Sequence, residues 1–371
     1  MSARLTVLSL AVAIMAALLT SAAAPQSAIA GTTGAVFTMT NGSSKNKVLI
    51  WSRAATGALN FVAGRNTGGR GNGGFLDNQG GLALVSGWLY AVNAGSHSVS
   101  VFRASGTNLS RTDVQPVGAN RPISVAARGT LVYVLHTGGG GGVRGFRRDA
   151  NGGLTPIAGS TRQLSGNGVV PAQVGFSRDG AQLLVTERAT DKITRYRVNA
   201  DGSIQAPVTT NSAGPEPFGF DTAPDGTLVV SEAGNHVEDG SSASSYRFNG
   251  SGTPVVVSDA VGTTETAACW VAITPNGNFA YVTNTPDNSI SGFAISGSGS
   301  LTLLSANGVT AATGASSFPI DLDTSRDGEY LYVLLAGTHR IATYQINGNG
   351  SLTTRGSVGG LPASANGLVA R

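Results

Sequence analysis

The chain has 371 residues and a formal net charge of +4, and only 12% of its residues are charged. Its basic residues are scattered along the sequence, which excludes the clustered stripe that marks nucleic-acid binding. A single cysteine excludes an intrachain disulfide. The 53 glycines, with short Val, Ile, Leu and Tyr runs between turn residues, are typical of many short strands joined by tight turns.

Residues 1–30 are predicted to be a cleavable signal peptide. Arg4 supplies the positive charge, residues 5–19 the apolar centre and Ala28-Ile29-Ala30 the small-x-small cleavage site. The apolar run is short for a membrane span, and no second stretch of about 20 apolar residues follows it. We therefore expect a secreted or periplasmic protein without a membrane span, in which residues 31–371 form one domain.

Seven segments of the remaining chain repeat one pattern, a strand, a short polar loop and a second strand. The clearest copy has Tyr281-Val282-Thr283-Asn284, a loop at 285–288 and a strand at 289–295. The pattern returns about every 50 residues, a period that indicates a β-propeller or a repeat array. The anchor positions that align with Tyr281 are Phe37, Tyr90, Tyr133, Leu184, Val229, Tyr281 and Tyr332.

A further strand precedes most anchors and ends in an Asp-Gly or Asn-Gly pair, which predicts type I′ hairpin turns. With a looser Gly turn after the next strand, each unit holds four antiparallel strands. The pairs are Asp179-Gly180, Asp225-Gly226, Asn276-Gly277 and Asp327-Gly328.

A four-stranded sheet buries neither face alone, so the units must stack, and a closed ring leaves only short protected edges. The sequence predicts an all-β fold, a seven-bladed β-propeller of four-stranded antiparallel blades. The first unit lacks the strand before its anchor, whereas residues 361–369 resemble that strand with nothing after it. We expect this C-terminal strand to join blade one and close the ring.

The Tyr281-Val282-Thr283-Asn284 run and the Pro-Asn-Gly and Pro-Asp-Gly turns resemble the YVTN-type propellers. The order and spacing of the seven units resemble the lactonase group within them, which includes propeller-type 6-phosphogluconolactonase and carboxy-muconate cyclase. This resemblance implies hydrolysis or formation of a small lactone, with a lactone or carboxylate as ligand. At the family's Gly-Pro-Arg-His element this sequence has Gly214-Pro215-Glu216-Pro217.

The residues three positions after the anchors are expected to lie around the mouth of the central channel. Among them, His136, Glu187 and Glu232 come from consecutive units and are the candidate catalytic residues. One carboxylate could activate water while the imidazole or the other carboxyl protonates the leaving oxygen. The alternative is that all three are solvated lining of a water-filled mouth.

Five further polar residues near the same loops are candidates for substrate binding: Asn93, Arg188, Asp191, Asn284 and His236. His236, like His97 and His339, could instead simply cap a turn. No cofactor is required by the hydrolase hypothesis, although two Glu, one Asp and one His could hold a divalent metal. Cys269 lies in a predicted buried strand, which argues against a covalent thiol mechanism.

Two functions therefore stay open at this point. One is a lactonase-like hydrolase or cyclase outside the cytoplasm. The other is a non-enzymatic secreted binding or scaffold propeller that presents its loops to a cell-surface partner or a glycan. A Gly-rich segment at 64–74, which precedes the second unit, is predicted to lie on the same face as the candidate site.

Overall fold

The computed structural model describes residues 32–371, so the predicted signal peptide at 1–30 lies outside the described residues. The chain forms seven antiparallel sheets, each a blade, with a four-stranded path in every one. The predicted seven-bladed propeller is confirmed. Three short 3-10 helices, η1 (Gly138–Gly140), η2 (Arg188–Thr190) and η3 (Gly234–His236), follow the second strands of blades 3, 4 and 5.

The first four blades take their strands in chain order, except that blade 1 also receives the last strand of the chain. Their strands are, in blade 1, β1 (Thr32–Met39), β2 (Lys47–Ala54) and β3 (Leu59–Asn66); in blade 2, β4 (Leu82–Val85), β5 (Trp88–Asn93), β6 (Ser98–Ser105) and β7 (Asn108–Pro116); in blade 3, β8 (Pro122–Arg128), β9 (Leu131–His136), β10 (Gly142–Arg148), β11 (Leu154–Pro156) and β12 (Arg162–Gln163); in blade 4, β13 (Pro171–Phe176), β14 (Gln182–Glu187), β15 (Lys192–Arg197) and β16 (Val208–Asn211).

The last three blades follow the same order, and the final strand returns to blade 1. Their strands are, in blade 5, β17 (Pro217–Thr222), β18 (Leu228–Glu232), β19 (Ser242–Phe248) and β20 (Pro254–Gly262); in blade 6, β21 (Ala268–Ile273), β22 (Phe279–Asn284), β23 (Ser289–Ile295), β24 (Leu301–Leu303) and β25 (Ala311–Ala312); in blade 7, β26 (Pro319–Thr324), β27 (Tyr330–Leu335), β28 (Arg340–Ile346) and β29 (Leu352–Val358); and β30 (Asn366–Ala370) in blade 1.

The anchor tyrosines lie in the buried second strands and connect neighbouring blades. The Tyr281 hydroxyl donates a hydrogen bond of 2.8 Å to the carbonyl of Gly350, and Tyr332 donates one of 3.0 Å to Gly57. Each acceptor belongs to the outer hairpin turn of the next blade. A buried hydroxyl needs such a partner, so this position favours Tyr where a neighbouring turn comes close.

The innermost strands form the wall of the central channel. Neighbouring innermost strands belong to different sheets, and side chains link them. The Asp221 carboxylate of blade 5 accepts a hydrogen bond from the backbone N–H of Ile273 in blade 6 (2.9 Å). Asp323 of blade 7 accepts one from Ala370 in β30 (2.8 Å). Since β30 pairs with β1, the C-terminal strand closes the ring, as predicted.

The hairpin turns between the first and second strands differ from the predicted type I′ geometry. Only the glycine of each pair has positive φ, for example Gly180 at 76° and Gly328 at 74°. The preceding Asp side chain instead accepts from a backbone N–H, as Asp179 Oδ1 does from Ala181 (3.0 Å). The type I′ prediction is wrong because this side-chain bond makes the turn, and only the glycine enters the left-handed region.

None of the helices in the described part of the chain has the length and apolar character needed to cross a bilayer.

Candidate functional site

The upper face of the propeller carries two kinds of loop in every blade. The connecting loop joins the second and third strands, and the inner loop precedes the innermost strand. The two loops are bonded to each other, as where the N–H of Arg188 in a connecting loop donates to the carbonyl of Val170 in an inner loop (3.1 Å). This face is the one on which the candidate residues were expected.

The inner loops of blades 3, 4, 5 and 7 end in a residue of positive φ followed by proline. The residues and their φ values are Arg121 (56°), Val170 (47°), Glu216 (58°) and Phe318 (46°). Positive φ is uncommon outside glycine, and a β-branched residue there is an outlier. Because the conformation recurs around the ring, it belongs to the architecture, and the residue type at each position determines what the upper face presents.

Side chains from the preceding blade fix three of these backbones. Each donated N–H belongs to the residue of positive φ, and each acceptor lies seven positions after an anchor. His97 Nδ1 accepts from Arg121 (3.1 Å), Asp191 Oδ1 from Glu216 (2.7 Å) and Asn288 Oδ1 from Phe318 (3.0 Å). Asp191, a predicted substrate-binding residue, therefore holds the inner loop that carries Glu216.

Glu216 is the centre of a charged cluster between blades 4 and 5. Its Oε1 atom accepts hydrogen bonds from Arg188 Nη2 (2.8 Å) and Nε (3.2 Å), and His236 Nε2 lies 3.4 Å from the same atom. Arg188 also forms a salt bridge with Asp77, and its guanidinium carbon lies 5.0 Å from the Phe218 ring centroid. Glu216 Oε2 is buried and has no hydrogen-bond partner.

This cluster borders an open cavity of about 270 Å³, the His236 cavity, which is lined by Val170, Arg188, Ala189, Glu216, Asn235 and His236. The His236 side chain is 59% exposed, whereas that of Glu216 is 10% exposed. The imidazole is thus accessible from the cavity, while the carboxylate beside it is shielded. Of the predicted substrate-binding residues, the structure brings Arg188 and His236 together here.

A second open cavity, of about 290 Å³, lies between blades 3 and 4 and is named here the Ile123 cavity. Its lining shares Val170 with the His236 cavity, and it includes Asp77, which pairs with Arg188. The two cavities therefore adjoin at Val170.

Residues 76–80, which lie between β3 and β4 in the chain, are named the crossing segment. They pass over the upper mouth of the channel. The Gln79 side chain donates to the carbonyl of Val271 (2.7 Å) and accepts from its N–H (3.0 Å), while its own N–H donates to Ala172 (3.2 Å). The Gly80 carbonyl accepts from Val125 (2.8 Å). This segment contacts blades 3, 4 and 6 and bounds the channel cavity of about 200 Å³ from above.

The sequence matches the profile of the family described as "Lactonase, 7-bladed beta-propeller" over residues 161–252 and 242–362, which together are more than half of the chain. This chain belongs to that lactonase family. No curated protein matches the sequence.

Solved structures with the same fold support this assignment at the level of architecture. A periplasmic gluconolactonase from Pseudomonas aeruginosa superposes with a TM-score of 0.70 at 17% identity, covering 91% of this chain and 99% of that one. A candidate 6-phosphogluconolactonase from Bacteroides uniformis gives 0.69 at 18% identity, with 91% and 99% covered. A Lactobacillus plantarum protein gives 0.72 at 19% identity, with 92% and 100% covered.

The two predicted catalytic glutamates of this lactonase-family chain lie at the ends of β14 and β18 and are fully buried. Glu187 accepts hydrogen bonds from the Thr194 hydroxyl (2.6 Å) and the Ser165 N–H (3.0 Å). Glu232 accepts from the Ser242 hydroxyl (2.6 Å) and the Gly214 N–H (3.2 Å), and burial raises its pKa. This geometry favours a structural role for both carboxylates, and their catalytic role stays a prediction.

Asn93 and Asn284 lie three positions after their anchors, as Glu187 and Glu232 do, and their contacts show the role of this position. Each is buried at the end of a second strand, and each side-chain amide donates to two serines on the third strand. Asn284 donates to Ser289 (3.0 Å) and Ser291 (2.8 Å), just as Asn93 donates to Ser98 (3.1 Å) and Ser100 (2.7 Å). The position therefore bonds to the third strand of its own blade, and Asn93 Oδ1 also accepts a hydrogen bond from Asn46 of blade 1 (3.1 Å).

His136 also lies at the end of a second strand and is buried. Its Nδ1 atom lies 3.2 Å from the carbonyl of Gly138, and burial lowers the pKa of the imidazole. It is absent from the lining of both upper cavities. His136, Glu187 and Glu232 thus come from three consecutive blades. His136 contacts its own blade, whereas Glu187 and Glu232 also accept from Ser165 and Gly214 in the segments that lead in from the preceding blades.

Sequence reasoning missed Glu216 and Asp77. Glu216 stands at the Gly-Pro-Arg-His position of the family. The signal that could have found it is its place directly before Pro217, which matches Arg121 before Pro122 and Val170 before Pro171. Asp77 has no comparable signal, because its place beside Arg188 depends on the path of the crossing segment. Among residues 32–371, no group of three or more His, Cys, Asp or Glu side chains is arranged to hold a metal.

Cys269 lies in β21 and is buried, as expected from the sequence. Burial raises the pKa of its thiol, so that the thiolate is disfavoured. A covalent thiol mechanism therefore has no support in its surroundings.

Proposed function

We propose that this lactonase-family propeller hydrolyses a small lactone in the His236 cavity, outside the cytoplasm. The predicted signal peptide supports the location. The family supports the reaction class. The site assignment rests on the geometry around Glu216.

The observation that carries the proposal is the contact between His236 and Glu216 at an open cavity. A carboxylate beside one ring nitrogen orients a histidine and stabilises its protonated form. Here Glu216 faces Nε2, so Nδ1 is the nitrogen left to accept a proton. Arg188 supplies a positive charge in the same cavity, where Glu216 and Asp77 hold it in place.

In the proposed reaction, His236 Nδ1 takes a proton from water as the water oxygen bonds to the lactone carbonyl carbon. Arg188 stabilises the negative charge that develops on the carbonyl oxygen. The ring C–O bond then breaks, and the imidazolium returns its proton to the leaving alkoxide. The product is a hydroxy acid, whose carboxyl group ionises near neutral pH and releases a proton.

A non-enzymatic binding propeller is the alternative, and one observation favours it. His136, Glu187 and Glu232, the polar residues predicted for catalysis, are all buried and contact other groups of the fold. A propeller that binds a partner through its upper loops would need no reactive group among them.

The test is proton release by the purified protein on sugar, homoserine and aromatic lactones, with His236→Gln and the matched control His339→Gln. His339 occupies the equivalent position in blade 7, is exposed and has the same φ as His236, 57°. Turnover lost only in His236→Gln supports the site. Equal turnover in both variants overturns the site, and no turnover on any lactone overturns the hydrolase in favour of the binding propeller.

A further inference from the structure

The Ile123 cavity is walled mainly by apolar side chains and by glycine backbone. Ile123 and Val169 are each 1% exposed, Leu76 is 3% exposed, and Val170 and Pro171 complete the apolar wall. Gly140, Gly141 and Gly168 also line it and present no side chain. These residues leave a groove whose surface suits a hydrocarbon group.

The charges at the two cavities do not favour a phosphorylated ligand. Arg188 is already paired with two carboxylates, Asp77 and Glu216, and Asp191 lies beside them, bonded to the Glu216 backbone. In the Ile123 cavity, Arg121 is accompanied by Asp77. Asp77 and Glu216 therefore balance the charges of Arg121 and Arg188 in the linings of the joined cavities, whereas phosphate sites concentrate Arg and Lys in excess.

Taking the His236 cavity as the reaction site, we infer that the Ile123 cavity binds the alkyl substituent of the substrate. The ring would lie against Arg188 and His236, and the chain would pass Val170 into the apolar groove. The substrate class is thus a lactone that carries a linear hydrocarbon chain. This inference rests on the proposed function for the reaction, and on the adjoining linings for the position of the chain.

Burying a methylene group contributes about 0.8 kcal/mol, which corresponds to roughly a fourfold gain in binding. We therefore expect kcat/KM to rise about fourfold for each methylene from γ-valerolactone to γ-decalactone, until the groove is filled. The polar glucono-δ-lactone serves as the reference without a hydrocarbon chain.

Thr137→Phe is designed to fill the groove. Thr137 is half-buried in its lining, and its hydroxyl donates to the carbonyl of Arg121 (3.4 Å). The matched control is Thr285→Phe. Thr285 is the equivalent residue of blade 6, is also half-buried, and donates to the carbonyl of Pro319 in blade 7 (2.8 Å). Chain-length dependence that disappears in Thr137→Phe and persists in Thr285→Phe supports the subsite.

Affinities of the matching alkyl γ-lactams, which resist hydrolysis, separate this inference from the hydrolase itself. Turnover that is independent of chain length overturns the subsite and leaves the hydrolase standing. If no lactone is turned over, the hydrolase fails and calorimetry with the lactams decides the subsite. Affinity that rises with chain length and is lost in Thr137→Phe supports it, and equal affinities overturn it.

Discussion

His236 Nε2 lies 3.4 Å from Glu216 Oε1, the carboxylate oxygen that also accepts two hydrogen bonds from Arg188. Three side chains from two blades therefore meet at one oxygen atom. The other oxygen, Oε2, is buried without a hydrogen-bond partner, so Arg188 and His236 both approach the carboxylate at Oε1. An imidazolium formed at His236 during catalysis would lie directly against this carboxylate.

Glu216→Gln should lower kcat/KM for the best lactone by about 10²-fold or more, because the neutral amide no longer stabilises the His236 imidazolium. Steady-state kinetics with proton release measures the effect. Glu238→Gln is the control, since Glu238 is exposed on the connecting loop that carries His236. A kcat/KM for Glu216→Gln within threefold of the parent would remove Glu216 from the mechanism.

Glu187→Ala should lower the free energy of unfolding by about 2–4 kcal/mol, because the Thr194 hydroxyl and the Ser165 N–H lose a charged acceptor in a buried place. Urea denaturation measures this loss. The catalytic hypothesis makes a different prediction for Glu187→Gln, namely normal stability with turnover abolished. Kinetics on the folded Glu187→Gln protein therefore decides between the structural and the catalytic role.

Gln79→Ala should destabilise the protein by about 2–3 kcal/mol, since it leaves both backbone groups of Val271 without partners at the channel mouth. Gln205→Ala is the matched control, because the Gln205 side chain makes one exposed hydrogen bond to Asn199 (3.1 Å) and should cost less than about 0.5 kcal/mol. Thermal unfolding compares the two. Equal transition temperatures would mean that the crossing segment is not held by Gln79.

The channel aspartates should make stability depend on pH. Burial raises the pKa of Asp323 to about 7 and that of Asp221 to about 6. The native state therefore binds more protons than the unfolded chain between about pH 4 and pH 7, so the free energy of unfolding falls as pH rises through this range. The stabilising contribution is complete below pH 4 and lost above pH 7.

Both side chains border the channel cavity and are only half-buried, so solvent screening reduces the effect to on the order of 1–2 kcal/mol between pH 5 and pH 8. Urea unfolding at each pH, for the parent and Asp323→Asn, measures it. The Asn variant should show a flatter profile. An identical pH slope in both proteins would contradict the raised pKa of Asp323.

Leu368→Ala should cost about 2–4 kcal/mol, because Leu368 lies in the ring-closing strand β30 and is 4% exposed. Val255→Ala serves as the control, since Val255 is 50% exposed on the outermost strand of blade 5 and should change stability by less than about 0.5 kcal/mol. Differential scanning calorimetry compares them. A small effect of Leu368→Ala would mean that closure contributes little to stability.

The sequence alone determined the number of blades, the position of each second strand and the closure by the C-terminal strand. These features follow from the alternation of apolar residues and from turn residues at fixed offsets, which are local properties of the chain. The clearest repeat shows this, since its third strand, Ser289–Ile295, was predicted with the bounds that the structure has. The first unit lacks the strand before its anchor and residues 361–369 supply an extra one, and this indicated how the ring closes.

Only the tertiary structure decided which polar side chains meet. A residue at the end of a second strand lies opposite the third strand, so Glu187 and Glu232 bond to Thr194 and Ser242 of their own blades. Glu216, Arg188 and Asp77 come from blade 5, blade 4 and the crossing segment, and they meet because adjacent blades bring their upper loops together. Local periodicity records the direction of a side chain within its sheet, whereas contacts between blades depend on the packing of the whole ring.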